Sequence, residues 1–594
     1  MSQQAGLVLL SAPRVSSSDV RAAATTAITE RQSRSTETSN RTAPVVGDEA
    51  TSTGDLSATT IGMTMMSLCL SVLLSALDLT IVTPAIPAIV GSFRSVSGYI
   101  WIGSAFILAQ TAITPVWGTV ADIWGRKPIV LIANATFFVG SLLCAVAPHM
   151  NALLVGRVIQ GLGASGMGTM VNVIICDMFS LRDRGLYLAI TSVVWAIGSG
   201  VGPVIGGVFT TRLNWRWCFW INLPIGAVVF VALLFFLKVP TPNTPVLAGL
   251  KAIDWVGSVL IIGAALMILL GLDFGDVTYP WSSAMVICLL VFGGVAVAVF
   301  LVNEWRFANN PVIPLRLFSN RSSVASYGVF ALNFYVFVGF AYYLPLYSQS
   351  VLGAGALNSG VHLLPLVVSC SLAAAFAGVF IQRTGKYLYI MYVSQITLTL
   401  GVGLFIYLEF EEDLTRLFVF EILVGVGVGM NIEAPVLAAQ ATTTAHDTAA
   451  VIATMGFLRS IATAISIVVG GVIFQNQMNA ANPGLVSQIG NQLASQFNGD
   501  QALAKVELIN RLEVGEKLYV ERTYFDALRK VWIMYTAISG LSLILNLLVR
   551  AHHLSTETSE AILGADRNNL SARSRGALSS ETPVELAEAR REAS

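Results

Sequence analysis

The sequence predicts an all-α polytopic membrane protein with fourteen transmembrane helices. Of its 594 residues, 55% are hydrophobic and only 11% are charged, whereas a soluble globular domain carries about 25% charged residues. The mean hydropathy is +0.72. Apolar segments close to the ~20 residues that cross a bilayer recur along the chain. We place them at 62–84, 100–121, 128–148, 152–176, 186–209, 217–237, 253–272, 281–302, 324–348, 359–380, 387–408, 417–440, 451–476 and 531–550.

The two ends differ from this apolar middle. Residues 1–61 are rich in Ser, Thr, Ala and Arg and show no signal-peptide pattern, and residues 551–594 are similarly polar. We therefore expect a disordered cytosolic tail at each end. The formal net charge is zero and the six cysteines lie scattered in apolar segments. These features argue against a nucleic-acid partner, a disulfide framework and a zinc site.

The charge of the short loops predicts the orientation. The loops on one side hold eleven basic residues, Arg126, Lys127, Arg182, Arg184, Lys238, Lys251, Arg306, Arg316, Arg321, Arg383 and Lys386. The loops on the other side hold four, Arg94, Arg212, Arg216 and Arg416. The positive-inside rule then places the first side and both termini in the cytosol. The long segment 478–530 becomes an external loop, in which the pattern around 514–528 predicts an amphipathic helix lying against the membrane face.

An internal repeat organises the segments. The loop after the second segment reads GTVADIWGRK from Gly118, and the loop after the tenth reads GVFIQRTGK from Gly378, with Gln382 in place of Asp122. The fourth and twelfth segments, and the fifth and thirteenth, also correspond. We predict two related six-helix halves, 62–237 and 324–550, and between them two inserted helices with a cytosolic linker, 238–323. Two such repeats hold a substrate near the membrane midplane, between the halves.

The loop after the second segment is interpreted as a conformational gate. Its residues are Gly118, Asp122, Gly125, Arg126 and Lys127. The positive-inside rule explains the basic residues but not the GxxxDxxGRK spacing. The glycines permit a tight turn, and the aspartate can pair with a basic side chain beside the next helix.

Ionisable residues within the segments are candidates for proton coupling, because an intramembrane charge costs several kcal/mol. Asp78 lies late in the first segment and Arg157 one turn into the fourth. A carboxyl beside a cavity can take up and release a proton, and a nearby arginine favours its charged form. Glu433 and Arg459 also lie within segments. The alternative is a structural charge pair, which we prefer for the residues at segment ends, Asp177, Asp254 and Glu304.

The fifth segment contains the string WAIGSGVGPVIGGVF. Glycines at every fourth position share one helix face, which lets a neighbouring helix approach closely. Gly198, Gly202 and Gly206 form this face, and Pro203 and Gly207 lie beside it. A packing face alone would need only GxxxG, and the full GxxxGPxxGG string is much rarer.

Together these strings resemble one branch of a known transporter family. With LDLTIVTPAIP in the first segment, GRVIQGLGASGMG in the fourth and NWRWCFWINLPIG before the sixth, they look like the fourteen-span drug:proton antiporter branch of the major facilitator superfamily. Later strings are similar to fungal toxin and multidrug efflux pumps of that branch. The resemblance covers roughly residues 62–550 and implies export of amphipathic small molecules driven by inward proton movement. It also implies that the glycine helix is the exporters' antiporter motif and that the gate loop latches the halves. Gln382 departs from the acidic residue of that loop pattern, which predicts a weaker latch in the second half.

The residues also restrict the energy source. The sequence contains no GxxxxGK[ST] phosphate loop and no soluble segment long enough for a nucleotide-binding domain. We therefore expect no nucleotide partner, and protons remain the ordinary driving ion. The five histidines form no catalytic constellation, so we expect no enzyme activity, no cofactor and no metal. The expected partners are a small-molecule substrate, protons and the lipid bilayer.

Three functions remain open at this stage. The candidate residues of the substrate cavity are Trp195, Asn333, Tyr335, Tyr342 and Glu433. Apart from Glu433, these side chains are aromatic or weakly polar, which suits uncharged amphipaths and so an exporter in the plasma membrane. The acidic Glu433 and Asp78 keep a vacuolar transporter of basic amino acids or other nutrients possible. A transport-inactive sensor is the third function, against which the intact gate and antiporter strings argue.

Overall fold

The computed structural model describes residues 58–556, apart from 94–97, 243, 276–278, 309, 411–413 and 445–446. The described chain is helical, and fourteen of its helices are long and apolar enough to cross a membrane. The prediction of an all-α protein with fourteen transmembrane helices is therefore confirmed. We number these helices α1 (Ala58–Ile81), α2 (Gly98–Trp124), α3 (Arg126–Val146), α4 (Met150–Met178), α5 (Arg184–Arg212), α6 (Asn222–Phe236), α7 (Trp255–Phe274), α8 (Ala284–Arg306), α9 (Arg321–Ser350), α10 (Leu364–Thr384), α11 (Tyr387–Leu404), α12 (Leu414–Met430), α13 (Thr448–Ala494) and α14 (Val514–Asn546).

Shorter helices flank some of them. They are Thr83–Ala85, Ile86–Phe93, Trp217–Trp220, Val246–Ala252, Leu315–Phe318, Ala356–His362, Phe405–Tyr407, Ala434–Gln440, Ser495–Phe497, Asp500–Ala504 and Val506–Arg511. The helix Ala434–Gln440 extends α12 after a break at Asn431–Glu433, where Pro435 occupies the first turn of the new helix. Proline is tolerated at that position because the first-turn amides have no partner within the helix.

Two sharp turns occupy equivalent places in the repeat. Gly125 separates α2 from α3 with φ +91°, and Gly385 ends α10 with φ +69°. Residues with a side chain rarely adopt these conformations, so glycine is required for a helix to end and the next to begin within a residue or two. A Cβ at Gly125 would also lie 2.8 Å from Pro242 Cδ.

The helix packing follows the same repeat. In the first six helices α2 and α3 pack on α4, and α1 packs on α5 and α6. In the last six, α10 and α11 pack on α12, and α9 packs on α13 and α14. Helices α7 and α8 pack on each other, and α7 also contacts α2 and α13. The inserted pair therefore lies beside one helix from each half.

The segment 478–530 differs from the sequence expectation. Helix α13 continues to Ala494, and α14 begins at Val514. The stretch around 514–528 is thus the first part of α14 and not a separate amphipathic helix on the membrane face. The buried residues of this stretch include Tyr524, whose ring packs against that of Phe474 of α13 at 5.5 Å between ring centroids.

The chain after α14 is also packed at first. The Arg550 amide donates to Ser322 Oγ at 2.9 Å, its carbonyl accepts from Tyr387 Oη at 2.8 Å, and Leu554 is buried. The expected tail from residue 551 therefore begins as a packed segment. Likewise, Ala58 is already helical, within the stretch 1–61 expected to be disordered. The remaining parts of the two expected tails, 1–57 and 557–594, lie outside the described residues.

Candidate functional site

Asp78 and Arg157 form a sealed ion pair inside the first half. Arg157 Nη1 donates to Asp78 Oδ2 at 2.7 Å, and the two residues are 0% and 1% exposed. Asp78 Oδ1 also accepts from Gln160 Nε2 and from Asn222 Nδ2, each at 2.6 Å. The carboxylate is thus surrounded by donors from α4 and α6.

The same network holds five helices together. Arg157 Nε donates to the Ile102 carbonyl of α2 at 3.0 Å, and Gln160 Nε2 donates to Ser141 Oγ of α3 at 2.8 Å. The guanidinium also lies over the Phe106 ring, 4.4 Å from its centroid. Every partner belongs to the first half, so in this state the pair does not face the space between the halves.

The gate loop forms a second buried network. Arg126 Nη1 donates to Asp122 Oδ1 at 2.5 Å, and Arg126 Nε donates to Asp177 Oδ2 at 2.7 Å. These carboxylates offset the placement of a cation in the first turn of α3, where the helix dipole disfavours it. Lys127 makes no hydrogen bond or ion pair with the residues that the structure describes. Gly118 lets α2 approach α13, since a Cβ there would lie 3.2 Å from the Ala449 carbonyl oxygen.

The glycine face of α5 packs tightly on α1. A Cβ at Gly198 would lie 3.0 Å from Ala76 Cβ, and one at Gly202 would collide with Thr80 Oγ1. A Cβ at Gly206 would collide with the Ile81 carbonyl oxygen. Two further residues of the string lie outside this contact: Pro203 is exposed, and a Cβ at Gly207 would meet no atom within 4 Å.

The two halves meet at the end of the molecule that carries most of the basic loops. Arg182, between α4 and α5, donates to the carbonyl oxygens of Gln382 and Arg383 at 2.7 and 2.6 Å. In return, Gln382 Nε2 donates to Asp183 Oδ1 at 3.1 Å. Gln382 is therefore a neutral partner of Asp183. An aspartate at position 382, which the first repeat has at the equivalent position 122, would be repelled by Asp183.

A second glutamine, Gln440, also forms hydrogen bonds between the halves. Arg184 Nη1 donates to Gln440 Oε1 at 3.0 Å, and Gln440 also contacts the buried Cys176 thiol of α4. The Arg182 amide further donates to the Ser555 carbonyl oxygen at 3.2 Å. Among the described residues, the hydrogen bonds between the halves are confined to this end and to one deeper contact. The structure is therefore closed at the basic-loop end.

The deeper contact joins two polar residues inside the membrane. Ser192 Oγ of α5 donates to Glu433 Oε1 at 2.7 Å. Arg459 of α13 interacts electrostatically with Glu433 and lies over the Phe334 ring of α9, 5.1 Å from its centroid. One residue from the first half and three from the second thus converge. We name Ser192, Glu433, Arg459 and Phe334 the midplane cluster.

Part of the midplane cluster is accessible to solvent at the place where the two halves meet. Arg459 lies eleven residues into α13, or about 16 Å at 1.5 Å per residue, about half of a ~30 Å hydrocarbon core. Its side chain is nevertheless exposed, and it makes no hydrogen bond or ion pair within the described part of the chain. Trp195 follows Ser192 by one turn on the same face of α5 and is 42% exposed.

The other cavity candidates are distributed differently. Tyr342 is 49% exposed, about two turns beyond Phe334 on α9. Tyr335 is instead buried in the core between α9 and α14, with its ring 5.8 Å from that of Tyr535. Asn333 is buried as well and donates to the Val428 carbonyl oxygen at 3.2 Å. Of the five candidates, the structure brings Trp195, Tyr342 and Glu433 to exposed or half-exposed positions and places two in packed interiors.

Comparison with known proteins identifies the family. The model described as Major Facilitator Superfamily matches residues 68–467. The chain belongs to the major facilitator superfamily.

Relatives within the superfamily are fungal transporters. The chain is 44% identical over 512 residues to "Efflux pump dotC" of Dothistroma septosporum, covering 86% of this chain and 88% of the relative. It is 41% identical to "MFS-type transporter ppz2" of Metarhizium majus, covering 85% and 88%. Among solved structures, the human organic anion transporter MFSD10 (TETRAN) aligns with a TM-score of 0.52 at 17% identity, covering 82% of this chain and 99% of that one. This last likeness concerns the fold alone.

Membership of the superfamily makes the chain a multi-pass membrane transporter, and its similarity to fungal efflux pumps agrees with the resemblance in the sequence. The sequence signals nevertheless missed several residues of the site. Ser192, Gln440 and Asp183 carry no motif, and each forms a hydrogen bond with a partner on the other half. A long-range pair of this kind has no local signature in a single sequence.

Proposed function

We propose that the protein is a proton-coupled exporter of uncharged amphipathic small molecules. The observation that carries the proposal is Glu433, a half-exposed carboxyl deep in the membrane that bridges the halves through Ser192. A group that binds a proton and also joins the two halves can couple protonation to their relative movement. The direction of transport follows from the relatives named as efflux pumps.

Glu433 is the better placed of the two coupling candidates. Asp78 is enclosed by three donors and has no exposed surface, so a proton would reach it only after the network opens. Glu433 already borders the space between the halves. We therefore assign proton exchange to Glu433. We assign a structural role in the first half to the pair of Asp78 and Arg157.

The alternative of a transporter for basic amino acids is less well supported. Asp78 is neutralised by Arg157, and the exposed cation of the midplane cluster, Arg459, would repel a second cation in the same space. Uncharged substrates avoid this repulsion. Location in the plasma membrane follows from the proposal of export, and the vacuolar membrane is the alternative that localisation of the tagged protein would distinguish.

The test uses inside-out membrane vesicles from cells that express the full chain. The probes are tritiated 4′-hydroxyflavone, 4′-methoxyflavone and progesterone, all uncharged at the pH used. An acidic lumen should drive accumulation of at least one probe, and a protonophore should abolish it. Glu433→Gln should lose the gradient-driven component but retain exchange of internal for external probe. If the wild-type protein accumulates none of the probes, or if Glu433→Gln responds fully to the gradient, the proposal is wrong.

A further inference from the structure

The midplane cluster offers one hydrogen-bond acceptor and one donor group, both unused. Glu433 Oε1 is occupied by Ser192, and the other carboxylate oxygen has no bond to a described residue. The Arg459 guanidinium has none either, although it is exposed. Because the protein is closed at one end only, these two groups are available to a ligand that can form hydrogen bonds with both of them.

Aromatic side chains lie beside Glu433 and Arg459. Phe334 lies under the Arg459 guanidinium, and Trp195 is exposed one turn from Ser192. Aromatic side chains stack favourably on planar ligands. A ligand for this site is therefore flat and apolar in its body, with polar groups toward Glu433 and Arg459.

The charges restrict the ligand further. Glu433 repels an anion and Arg459 repels a cation, so neither sign is favoured overall. A neutral molecule avoids both costs if a hydroxyl donates to the carboxylate while a carbonyl accepts from the guanidinium. Hydrogen bonds to charged groups are the stronger kind.

We propose that Glu433 and Arg459 form the polar subsite for uncharged aromatic substrates that carry a hydroxyl donor and a carbonyl acceptor. The substrate hydroxyl and the proton then compete for the same carboxylate. This inference rests on the proposed function and explains its direction: protonation from the acidic side removes the acceptor and releases the substrate there. No covalent step is involved.

The surroundings of Glu433 are compatible with such competition. Its charged neighbour is Arg459 on α13, and the Cys176 thiol on α4 lies within electrostatic reach. Helix α5 contributes the neutral Ser192 hydroxyl, and α9 contributes the Phe334 ring. Within the described part of the chain, these elements bring no second carboxyl against Glu433, so the proton and the substrate hydroxyl meet at one group.

The experiment measures binding to the purified full-length protein, by quenching of its tryptophan fluorescence between pH 5.5 and 7.0. The probes are 4′-hydroxyflavone and 4′-methoxyflavone, which share the ring system and carbonyl but differ in the donor. At pH 7.0 the hydroxy compound should bind about tenfold or more tightly than its methyl ether. Its Kd should rise as the pH falls, whereas the Kd of the ether should not change.

Two variants assign the effects to their groups. Glu433→Gln should remove the pH dependence for 4′-hydroxyflavone. Arg459→Met should weaken both flavones by a similar factor, and it should leave 4′-hydroxyflavan, which lacks the carbonyl, unaffected. Thermal unfolding of each variant checks that it is folded, and Arg459→Lys, which keeps the charge, should bind better than Arg459→Met.

The outcomes separate the inference from the proposed function. Equal affinities for the two flavones, a pH-independent Kd for the hydroxy compound, or no binding of either would overturn the subsite assignment. Gradient-driven accumulation of any probe in the vesicles would then leave the proposed function standing. If the subsite binds as described but no probe responds to the gradient, the proposed function fails and the binding site remains.

Discussion

At the scale of single residues, Asp78 and Glu433 illustrate two uses of a carboxyl inside a membrane. Asp78 accepts from three donors and lies against a buried arginine. Glu433 accepts from one hydroxyl and borders open space. Removal of the carboxylate charge therefore lowers stability by different amounts at the two positions, because only the loss of the Asp78 charge leaves a buried cation, Arg157, without its partner.

This contrast gives the first prediction. Asp78→Asn should destabilise the protein by about 3–5 kcal/mol, the usual cost of breaking one side of a buried ion pair, because Arg157 stays charged and the new amide nitrogen faces donors. Glu433→Gln, the same chemical change, should alter stability by less than about 1 kcal/mol. Thermal unfolding in detergent measures both.

A double variant controls for the charge. Asp78→Asn combined with Arg157→Gln should recover much of the lost stability, since no isolated charge remains. Normal stability of Asp78→Asn together with abolished gradient-driven efflux would contradict this prediction and return the proton-coupling role to Asp78.

At the scale of helices, the close contact between α5 and α1 depends on glycine residues of α5, which have no side chain. Gly202 faces Thr80 so closely that even a methyl group collides with the threonine hydroxyl. Gly207, five residues further along α5, faces open space. The two positions therefore form a matched pair within one helix.

The second prediction uses that pair. Gly202→Val should lose efflux while the protein still reaches the membrane, because overpacking costs roughly 1–3 kcal/mol and the two access states must lie within a few kcal/mol of each other. Gly207→Val and Ser199→Ala should transport almost normally. Efflux and surface level are measured together for each variant.

A compensating change tests the cause. Thr80→Ala removes the hydroxyl that a Cβ at Gly202 would strike, so Gly202→Ala with Thr80→Ala should transport better than Gly202→Ala alone. Equal failure of Gly202→Val and Gly207→Val would show that α5 tolerates no added bulk anywhere, and the close-contact explanation would be wrong.

The third prediction concerns the end of α10. Gln382→Glu would place a carboxylate beside Asp183, where the glutamine now donates at 3.1 Å. Repulsion of about 1 kcal/mol or more at this distance should shift the equilibrium about fivefold or more away from the closed arrangement. Cys176, buried behind Gln440, reports the opening when it is the sole cysteine, because a thiol reagent should then modify it faster.

Salt separates repulsion from simple loss of a bond. Higher ionic strength should slow the modification of Cys176 in Gln382→Glu, because salt screens the two carboxylates. It should leave Gln382→Ala unchanged, since that variant lacks the bond but adds no charge. An equal salt response in both variants would rule out the proposed repulsion.

The helices were predictable because each needs only a local signal. A run of apolar residues of spanning length fixes a helix such as α3 to within about two residues, and Gly125 and Gly385 mark turns by themselves. A helix was predicted around 514–528, but its continuity with the last span was missed, because this part is polar on one side and packs against α13. The partnership of Gln440 with Arg184 was unpredictable for the same physical reason, since it depends on the arrangement of both halves.

At the scale of the whole molecule, the closed end and the accessible midplane define one state of a transport cycle. The hydrogen bonds between the halves in the described chain lie toward the basic loops, with Ser192 and Glu433 the deepest. We therefore infer that solvent reaches the exposed Arg459 from the opposite end. If the basic loops are cytosolic, as the positive-inside rule predicts, this state opens to the outside.

The last prediction joins topology to this state. On intact cells, a membrane-impermeant thiol reagent should modify Trp195→Cys in a chain without other cysteines, because Trp195 is exposed and we expect the space beside it to open outward. The native Cys176, as sole cysteine, should stay unmodified from outside, since it is buried at the closed end. Epitope tags at both termini should be inaccessible until the cells are permeabilised.

The readouts can fail independently, which makes the comparison decisive. Surface staining of either tag would contradict the predicted topology, because the loops with eleven basic residues, and not those with four, would then face the outside. Inaccessible tags with Trp195→Cys modified only from the cytosolic side would keep the topology but show that the resting protein opens inward. Modification of Trp195→Cys from outside that falls when 4′-hydroxyflavone is added would place the substrate in the space between the halves.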